Sequence, residues 1–393
     1  MRLPPLAMSR GRPARVGRVS APSARIARLP QQYFVNLLAQ VSAAAGEDGP
    51  PLVDLGRGNP EVGPPAHVVE ALADSARRPD VHGYAPIRGH LRTKEAIAAR
   101  YRDVYGVDLD PEREVALIPG TKTGIVELAL ALADEGQTIL LPDPYYPDYP
   151  SGPALAAAKL ETFPLDPQAG WAPDFDTVPA AAALYLNYPS NPCAVVAPDG
   201  VFTGAVRWAE RTGGAIVHDA AYCDLVYDGR TPQSFLATPG AKDVGVEMWS
   251  ASKTYGMAGW RIGFVVGNAD IVERINLLND HCRVGIFTPL QEAIVAALTG
   301  PQDSVAERVA SYEDRRDVIA GALPMPITCE GTFFVWLQLP DGLTAERLLA
   351  EHRVAVAPGE GFGPSGAGWA RISLAVSDEA IALGAERLKA AFS

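Results

Sequence analysis

A lysine, an aspartate and an asparagine stand at the ends of three apolar stretches, and together their types define one chemistry. The first stretch closes in Asn187-Tyr188-Pro189-Ser190-Asn191-Pro192 and the second in Asp219-Ala220-Ala221-Tyr222. The third closes in Ser250-Ala251-Ser252-Lys253, with Arg261 eight residues later inside Gly259-Trp260-Arg261. Singly, each has a plainer reading: an Asn-Pro pair marks a turn, an Asp after a strand caps a helix, and a Lys there snorkels to solvent. Together they suit a cofactor with a ring nitrogen, an aldehyde and a phenolic oxygen. Only an amine condenses reversibly with an aldehyde, and an acidic partner at the ring nitrogen is what an electron sink requires.

Such a set must be gathered by a sheet, because open parallel sheets build their ligand sites at strand ends. The pattern predicts strands at Glu114–Ile118, Thr138–Leu141, Lys159–Phe163, Ala183–Asn187, Ala215–Asp219, Val246–Ser250 and Ile262–Val266. Several are apolar without alternation, as in strands covered on both faces. Helical stretches between them imply parallel crossovers. Gly120-Thr121-Lys122 reads as a turn opening a buried helix over Thr123–Ala133. After about residue 280 the texture becomes α+β. A helix over Ser304–Ala322, strands at Phe333–Leu339, Val354–Ala357 and Ala370–Ala375, and a last helix from Asp378 capped by Ser377 are expected.

The chain has 393 residues, 48% hydrophobic and 20% charged, which suits a large domain with a smaller partner. A net charge of −12 disfavours nucleic acid, and no apolar run is long enough to span a membrane. Four cysteines without a C-x-x-C pair and scattered histidines give no support for a metal site, and read as reduced thiols of a cytoplasmic protein. Residues 1–28 hold seven arginines and no acidic residue. The segment reads as a disordered leader or tail, or as a start placed too early with Met8 as the alternative. A transit peptide is the competing reading, without the apolar stripe it needs.

The ordered segments, above all Ser-Ala-Ser-Lys-Thr-Tyr-Gly-Met-Ala-Gly-Trp-Arg-Ile-Gly-Phe around Lys253, resemble the class I/II aminotransferases of pyridoxal-phosphate (PLP) fold type I from about residue 50 onward. Gly-Thr-Lys-Thr-Gly, Asp-Pro-Tyr-Tyr-Pro-Asp-Tyr and Met-Ala-Gly-Trp-Arg resemble its bacterial alanine, aromatic and LL-diaminopimelate subgroup. The resemblance implies an α/β fold, with a mostly parallel sheet sandwiched by helices in a large domain over residues 58–285. A smaller α+β domain would span 286–393, joined by an N-terminal arm over 29–57.

It also implies roles. Lys253 would be the Schiff-base lysine and the base, Asp219 the partner of the ring nitrogen, and Asn191 and Tyr222 the partners of the ring hydroxyl. Gly120, Thr121, Lys122, Ser250 and Arg261 would hold the phosphate. Tyr146 would stack on the ring, with Tyr145 its rival. Tyr84 would reach the neighbour's phosphate in a homodimer. Arg371 would clamp the α-carboxylate of the amino acid or 2-oxo acid, with the Gly58 backbone beside it. The implied reaction is ping-pong transamination. The alternative is a PLP-dependent lyase, which uses the same lysine and aspartate, and a non-catalytic regulator would need a DNA-binding domain for which the chain has no room.

Ala194 departs from the family where many relatives carry glycine. It is expected to shift the loop slightly, because alanine resists positive φ, and to leave Cys193 near the pocket. Arg88 and Arg283 are candidates for a distal carboxylate. Tyr33 and Phe34 can cover the pocket mouth or pack at a dimer interface, and Tyr149 can line the pocket or cap its helix.

Overall fold

In the computed structural model, which describes residues 21–46 and 48–393, a helix over Tyr33–Ala45 leads to a short strand, β1 (Val53–Asp54). Residues 1–20 of the arginine-rich segment lie outside the described residues, and Ala24–Ala27 within it forms a four-residue helix capped by Ser23. Helices Ala66–Ala76 and Leu91–Tyr105 follow.

The large sheet comprises β2 (Val115–Ile118), β3 (Thr138–Asp143), β4 (Lys159–Pro164), β5 (Ala183–Asn187), β6 (Ala215–Asp219), β7 (Gly245–Ser250) and β8 (Gly263–Gly267). Their spatial order is β2-β8-β7-β6-β5-β3-β4. The apolar runs in β2, β5, β7 and β8 are buried along their whole length, as strands covered on both faces must be.

The expected parallel crossovers hold for β3–β4, β5–β6 and β6–β7. They do not hold for β8, which runs antiparallel to both β7 and β2. The reason is the length of the connection. Residues 251–262 give room only for the single-turn helix Ala251–Thr254 and a 3-10 turn, too little for a packed crossover helix. The chain therefore folds straight back, and Lys253 and Arg261 share one turn at the end of β7.

Helix Thr121–Leu132 packs on helices Ser151–Ala156 and Ala269–Cys282 over one sheet face. The opposite face carries the other main core, including Trp208, Trp249 and Phe264. A third core, including Phe333, Phe334, Ile372 and Leu388, lies under a smaller sheet. That sheet joins β9 (Phe334–Gln338), β11 (Ala357–Pro358) and β12 (Trp369–Ser373) in the order β11-β12-β9, all antiparallel. Between them in sequence, β10 (Val354–Ala355) pairs parallel with β1. Helices Asp303–Ala322 and Asp378–Ala391 pack together over this α+β unit, and Ser377 caps the second by accepting from the Ala380 N–H. The expected boundary at 285/286 falls before helix Thr288–Thr299, which packs on Ala66–Ala76 and Leu91–Tyr105 beside the large sheet.

Candidate active site

The neighbouring strands β5, β6 and β7 end on one side of the sheet, and a cavity of about 500 Å3 lies beyond them. Asn187, Asn191, Asp219, Tyr222, Lys253 and Arg371 all line it.

Asp219 closes β6 and is buried. Its Oδ2 accepts from the Tyr149 hydroxyl at 2.9 Å and its Oδ1 from the Ala221 N–H at 3.2 Å. Burial raises its pKa, opposed by those two donors and by the fields of His218 and Lys253. Asn187 ties two strand ends, donating its amide to the Asp219 carbonyl at 2.8 Å and accepting from the Asn191 N–H at 2.7 Å.

Arg371 comes from the other domain, on β12, and is fully buried. Its Nη1 donates to Asn191 Oδ1 at 2.9 Å and its Nη2 to the Gly56 carbonyl at 3.3 Å. Its Nε is buried without a partner. The guanidinium sits 3.9 Å from the Phe334 ring centre, 4.8 Å from Phe362 and 5.3 Å from Phe34. Burial pushes its pKa down to about 10, against the favourable field of Tyr222, Tyr33 and Tyr146. A buried cation with a spare donor, boxed by rings, is suited to receive a carboxylate. Gly58 leaves it room: a Cβ there would lie 2.9 Å from Phe334 and 3.5 Å from Arg371 Nη2.

Lys253 Nζ donates to the Gly58 carbonyl at 3.3 Å and lies 5.7 Å from the Tyr222 ring centre. Burial, then the charges of Arg371 and Arg261, push its pKa down to about 8, with Asp219 opposing. The free amine is thereby accessible near neutrality.

An anion corner adjoins these groups. Gly120, at φ +84°, precedes helix Thr121–Leu132, whose first N–H groups are unpaired donors. A Cβ on Gly120 would stand 2.6 Å from Arg261 Nη2, so only glycine admits that guanidinium. Ser250 Oγ lies 2.9 Å from Ser252 Oγ in the same turn. Lys122 points elsewhere, its Nζ 2.8 Å from Asp148, so only its backbone is left for an anion.

Tyr146 lines the cavity with its hydroxyl on Asp148 at 2.6 Å, whereas its rival Tyr145 packs beside Gly363. Tyr84 stands apart from the cavity and is 90% exposed. Both arginines considered for a distal carboxylate carry an ion pair and lie outside the cavity lining, although Arg283 Nε and Nη1 are buried without a partner. Arg88 pairs with Glu273 and Asp280, and Arg283 with Glu127. Cys193 is buried and lines a separate cleft with Trp171 and Trp336, not the pocket. Ala194 adopts the positive φ that alanine is expected to resist, +60°, held by its N–H on the Ser190 carbonyl and its carbonyl under the Glu330 N–H.

The sequence reading missed the partner of Tyr149 and, beyond Phe34, the residues that line the pocket mouth. Tyr149 neither lines the pocket nor caps a helix, but bonds Asp219. Phe34, Leu37, Leu38 and Val41, at helical spacing on Tyr33–Ala45, form an apolar wall of the cavity, while Tyr33 packs on Phe362 and donates to the Pro358 carbonyl. The spacing was a usable signal for a buried face; what it faces was not.

The sequence pattern described as Aminotransferase class I and II matches residues 50–388. The chain belongs to the class I and II aminotransferases. It is 45% identical over 373 residues to the L-glutamine--4-(methylsulfanyl)-2-oxobutanoate aminotransferase of Bacillus subtilis (strain 168), covering 92% of this chain and 94% of that one. It is 38% identical to the LL-diaminopimelate aminotransferase of Moorella thermoacetica, covering 93% and 97%. A substrate-bound structure of BacF from Bacillus subtilis superimposes with a TM-score of 0.88 at 36% identity, covering 95% and 98%.

The protein is accordingly a PLP-dependent aminotransferase with ping-pong kinetics, and these relatives are named for amino transfer and not for elimination. The residues present fit the cofactor. A lowered lysine suits its aldehyde, a buried carboxylate bonded by a phenol and a backbone N–H suits its ring nitrogen, and a helix N-terminus beside Arg261 suits its phosphate. Among the described residues no cluster of His, Cys, Asp or Glu is arranged for a metal ion, and no helix is long and apolar enough to cross a membrane.

Proposed function

We propose that this aminotransferase acts on amino acids and 2-oxo acids with uncharged, largely apolar side chains, using Lys253, Asp219 and Arg371. One observation carries the reading. Among the described residues lining the cavity, the other charged groups are already paired: Arg57 with Asp54, Glu61 with Arg315, and Lys122 with Asp148. The wall beyond Arg371 is Phe34, Leu37, Leu38, Val41 and Val376. A second carboxylate would be desolvated there without a cation, whereas methylene groups gain about 0.8 kcal/mol each. The Bacillus subtilis relative is named for 4-(methylsulfanyl)-2-oxobutanoate, an acceptor of this kind.

When bound, PLP supplies an aldehyde that takes the amino group and a ring that withdraws electrons from the substrate carbon. The protein's groups do the rest. Arg371 and Asn191 hold the α-carboxylate, which fixes the Cα–H bond relative to Lys253. The Lys253 amine removes that proton and delivers it to the acceptor carbon. Asp219 would hold a proton on the ring nitrogen, and Tyr222 with Asn191 would bond the ring oxygen. Gly120, Thr121, Lys122, through its backbone, Ser250 and Arg261 would hold the phosphate, and Tyr146 would pack against the ring.

The functional unit is proposed to be a homodimer in a reducing, cytoplasmic setting. Exposed Tyr84, Ile87, Leu91, Val284 and Phe287 support the first, since the 84–91 and 284–287 segments touch where Gly285 meets Pro86. Four free cysteines are in keeping with the second.

The test is a donor panel followed through the cofactor's absorbance. Methionine, leucine, phenylalanine and glutamine are expected to discharge the band, and 4-(methylsulfanyl)-2-oxobutanoate to restore it. Leu38→Ala is expected to lower kcat/KM for apolar substrates about threefold to tenfold through lost contact, leaving cofactor affinity unchanged. A tenfold preference for aspartate over all apolar donors would sink the substrate reading. A monomer by sedimentation would sink the dimer.

A further inference from the structure

Behind the cavity floor lies a buried polar chain that the reaction does not touch. His218 precedes Asp219 on β6 and is fully buried. Its Nδ1 lies 2.7 Å from Oε1 of Glu247, its register partner on β7, and its Nε2 lies 2.9 Å from the Tyr188 carbonyl, just past the end of β5. Glu247 is fully engaged as well: the Phe235 N–H donates to Oε1 at 3.0 Å, and the Ser234 hydroxyl bonds Oε2.

These contacts dictate where the protons are. The Tyr188 carbonyl can only accept, so Nε2 carries a hydrogen. The short contact to Glu247 needs a second hydrogen between Nδ1 and Oε1, shared between the imidazole and the carboxyl group. Buried groups of this kind cannot be left unpaired without cost. The three anchor points sit on the three strands that deliver Asn191, Asp219 and Lys253, so the chain fixes the relative height of those strand ends.

We infer that His218 is a positioning residue, clamped between Glu247 and Tyr188, that holds the Asn191 loop in place and fixes the orientation of Asp219 at the cavity floor. This rests on the proposed place of Asp219 at the ring nitrogen. The groups facing Asp219 are Tyr149, Tyr185, Tyr146, Tyr222 and Lys253. Of these only Lys253 is basic, and its amine is the group that the cofactor's aldehyde would take. His218 is then the remaining basic side chain among the groups that counter the burial of Asp219. Around the clamp itself pack Phe202 and Phe235, with Tyr101 and Cys223 within the field of Glu247.

The experiment uses PLP-loaded enzyme carrying His218→Gln, Glu247→Gln or Asp219→Asn. Three quantities are read: the pH midpoint of the bound-cofactor absorbance band, kcat separately from KM, and the melting temperature. Glu247→Gln preserves volume and hydrogen-bonding capacity, which keeps the test open if His218→Gln folds poorly. Both are expected to move the midpoint in the direction of Asp219→Asn, by about one pH unit. They are expected to lower kcat about tenfold, with KM changed less than about twofold. A midpoint that stays put in both while Asp219→Asn moves it overturns the inference, whatever happens to melting. If Asp219→Asn leaves the midpoint in place, the ring-nitrogen reading falls and takes the inference with it.

Discussion

The floor and the wall of the cavity are built in opposite ways. The floor is polar and comes from three adjacent strand ends, where Asp219, Asn187 and Asn191 are tied by hydrogen bonds of 2.7–3.2 Å. The wall is apolar and comes from a helix of the N-terminal arm, about 150 residues away in sequence, with Phe334 and Arg371 from the smaller sheet. The floor can hold charges in fixed positions because every strand end is hydrogen-bonded to its neighbour. The wall contributes contact area without direction, so it can vary with substrate while the chemistry stays fixed. Substitutions on the floor should therefore strike turnover, and those on the wall should redistribute substrates.

The sharpest break is at the floor's reactive amine. Lys253→Ala is expected to remove the cofactor band and lower turnover by about 10^4-fold or more, as loss of a covalent catalyst and base in one step. The pH dependence follows from its depressed pKa. Only the neutral amine attacks the aldehyde, and lowering the value from 10.5 to about 8 leaves the neutral fraction small below that pH and near unity above it. The rate of cofactor uptake by apo-enzyme is thus expected to rise with pH and level off above about 8. A rate still climbing at pH 10 would show that burial does not act on Lys253 as described.

Arg371→Lys tests the seam between floor and wall. Lysine keeps the charge but loses the fork that spans Asn191 and Gly56. A fall in kcat/KM of about 10^2-fold, some 2–3 kcal/mol, is expected with little change in the cofactor band. An unaltered kcat/KM would remove Arg371 from the substrate's carboxylate.

The two regions also differed in how readable they were. The floor was legible because strand-end residues are close in space whenever their strands neighbour each other, and Asn191, Asp219 and Lys253 each follow an apolar run. Strand boundaries came within two residues for the same reason, since continuous burial leaves a continuous apolar signal. The antiparallel β8 was not legible, because pattern does not report direction; only the short connection at 251–262 does. The wall was half legible. The spacing of Phe34, Leu37, Leu38 and Val41 marks an apolar face, but a face does not name the surface opposite it. Tyr149 was missed because its partner, 70 residues on, is set by tertiary packing.

Tyr149→Phe therefore sharpens the comparison from inside the floor. It removes one hydroxyl from a buried carboxylate and nothing from the pocket wall. Leaving Asp219 one donor short is expected to cost about 1–2 kcal/mol, read as a roughly tenfold lower kcat with unchanged substrate preference. A change in preference without a change in kcat would place Tyr149 on the wall instead.

The smallest effect tests whether the floor tolerates strain. Ala194 sits at φ +60° and is fully buried, three residues after Asn191. Replacing it with glycine relieves a backbone conformation that costs alanine about 1–2 kcal/mol. The same change deletes a buried methyl group worth about 0.8 kcal/mol and frees the unfolded backbone by about 0.5–1 kcal/mol. These terms nearly cancel, so the melting temperature should move by no more than a few degrees. Activity should not move either, because the loop is held by the Ser190 and Glu330 backbone bonds and not by the side chain. A large loss of kcat on Ala194→Gly would mean that the alanine methyl, packed in the core shared with Tyr222 and Phe334, is what keeps Asn191 against Arg371.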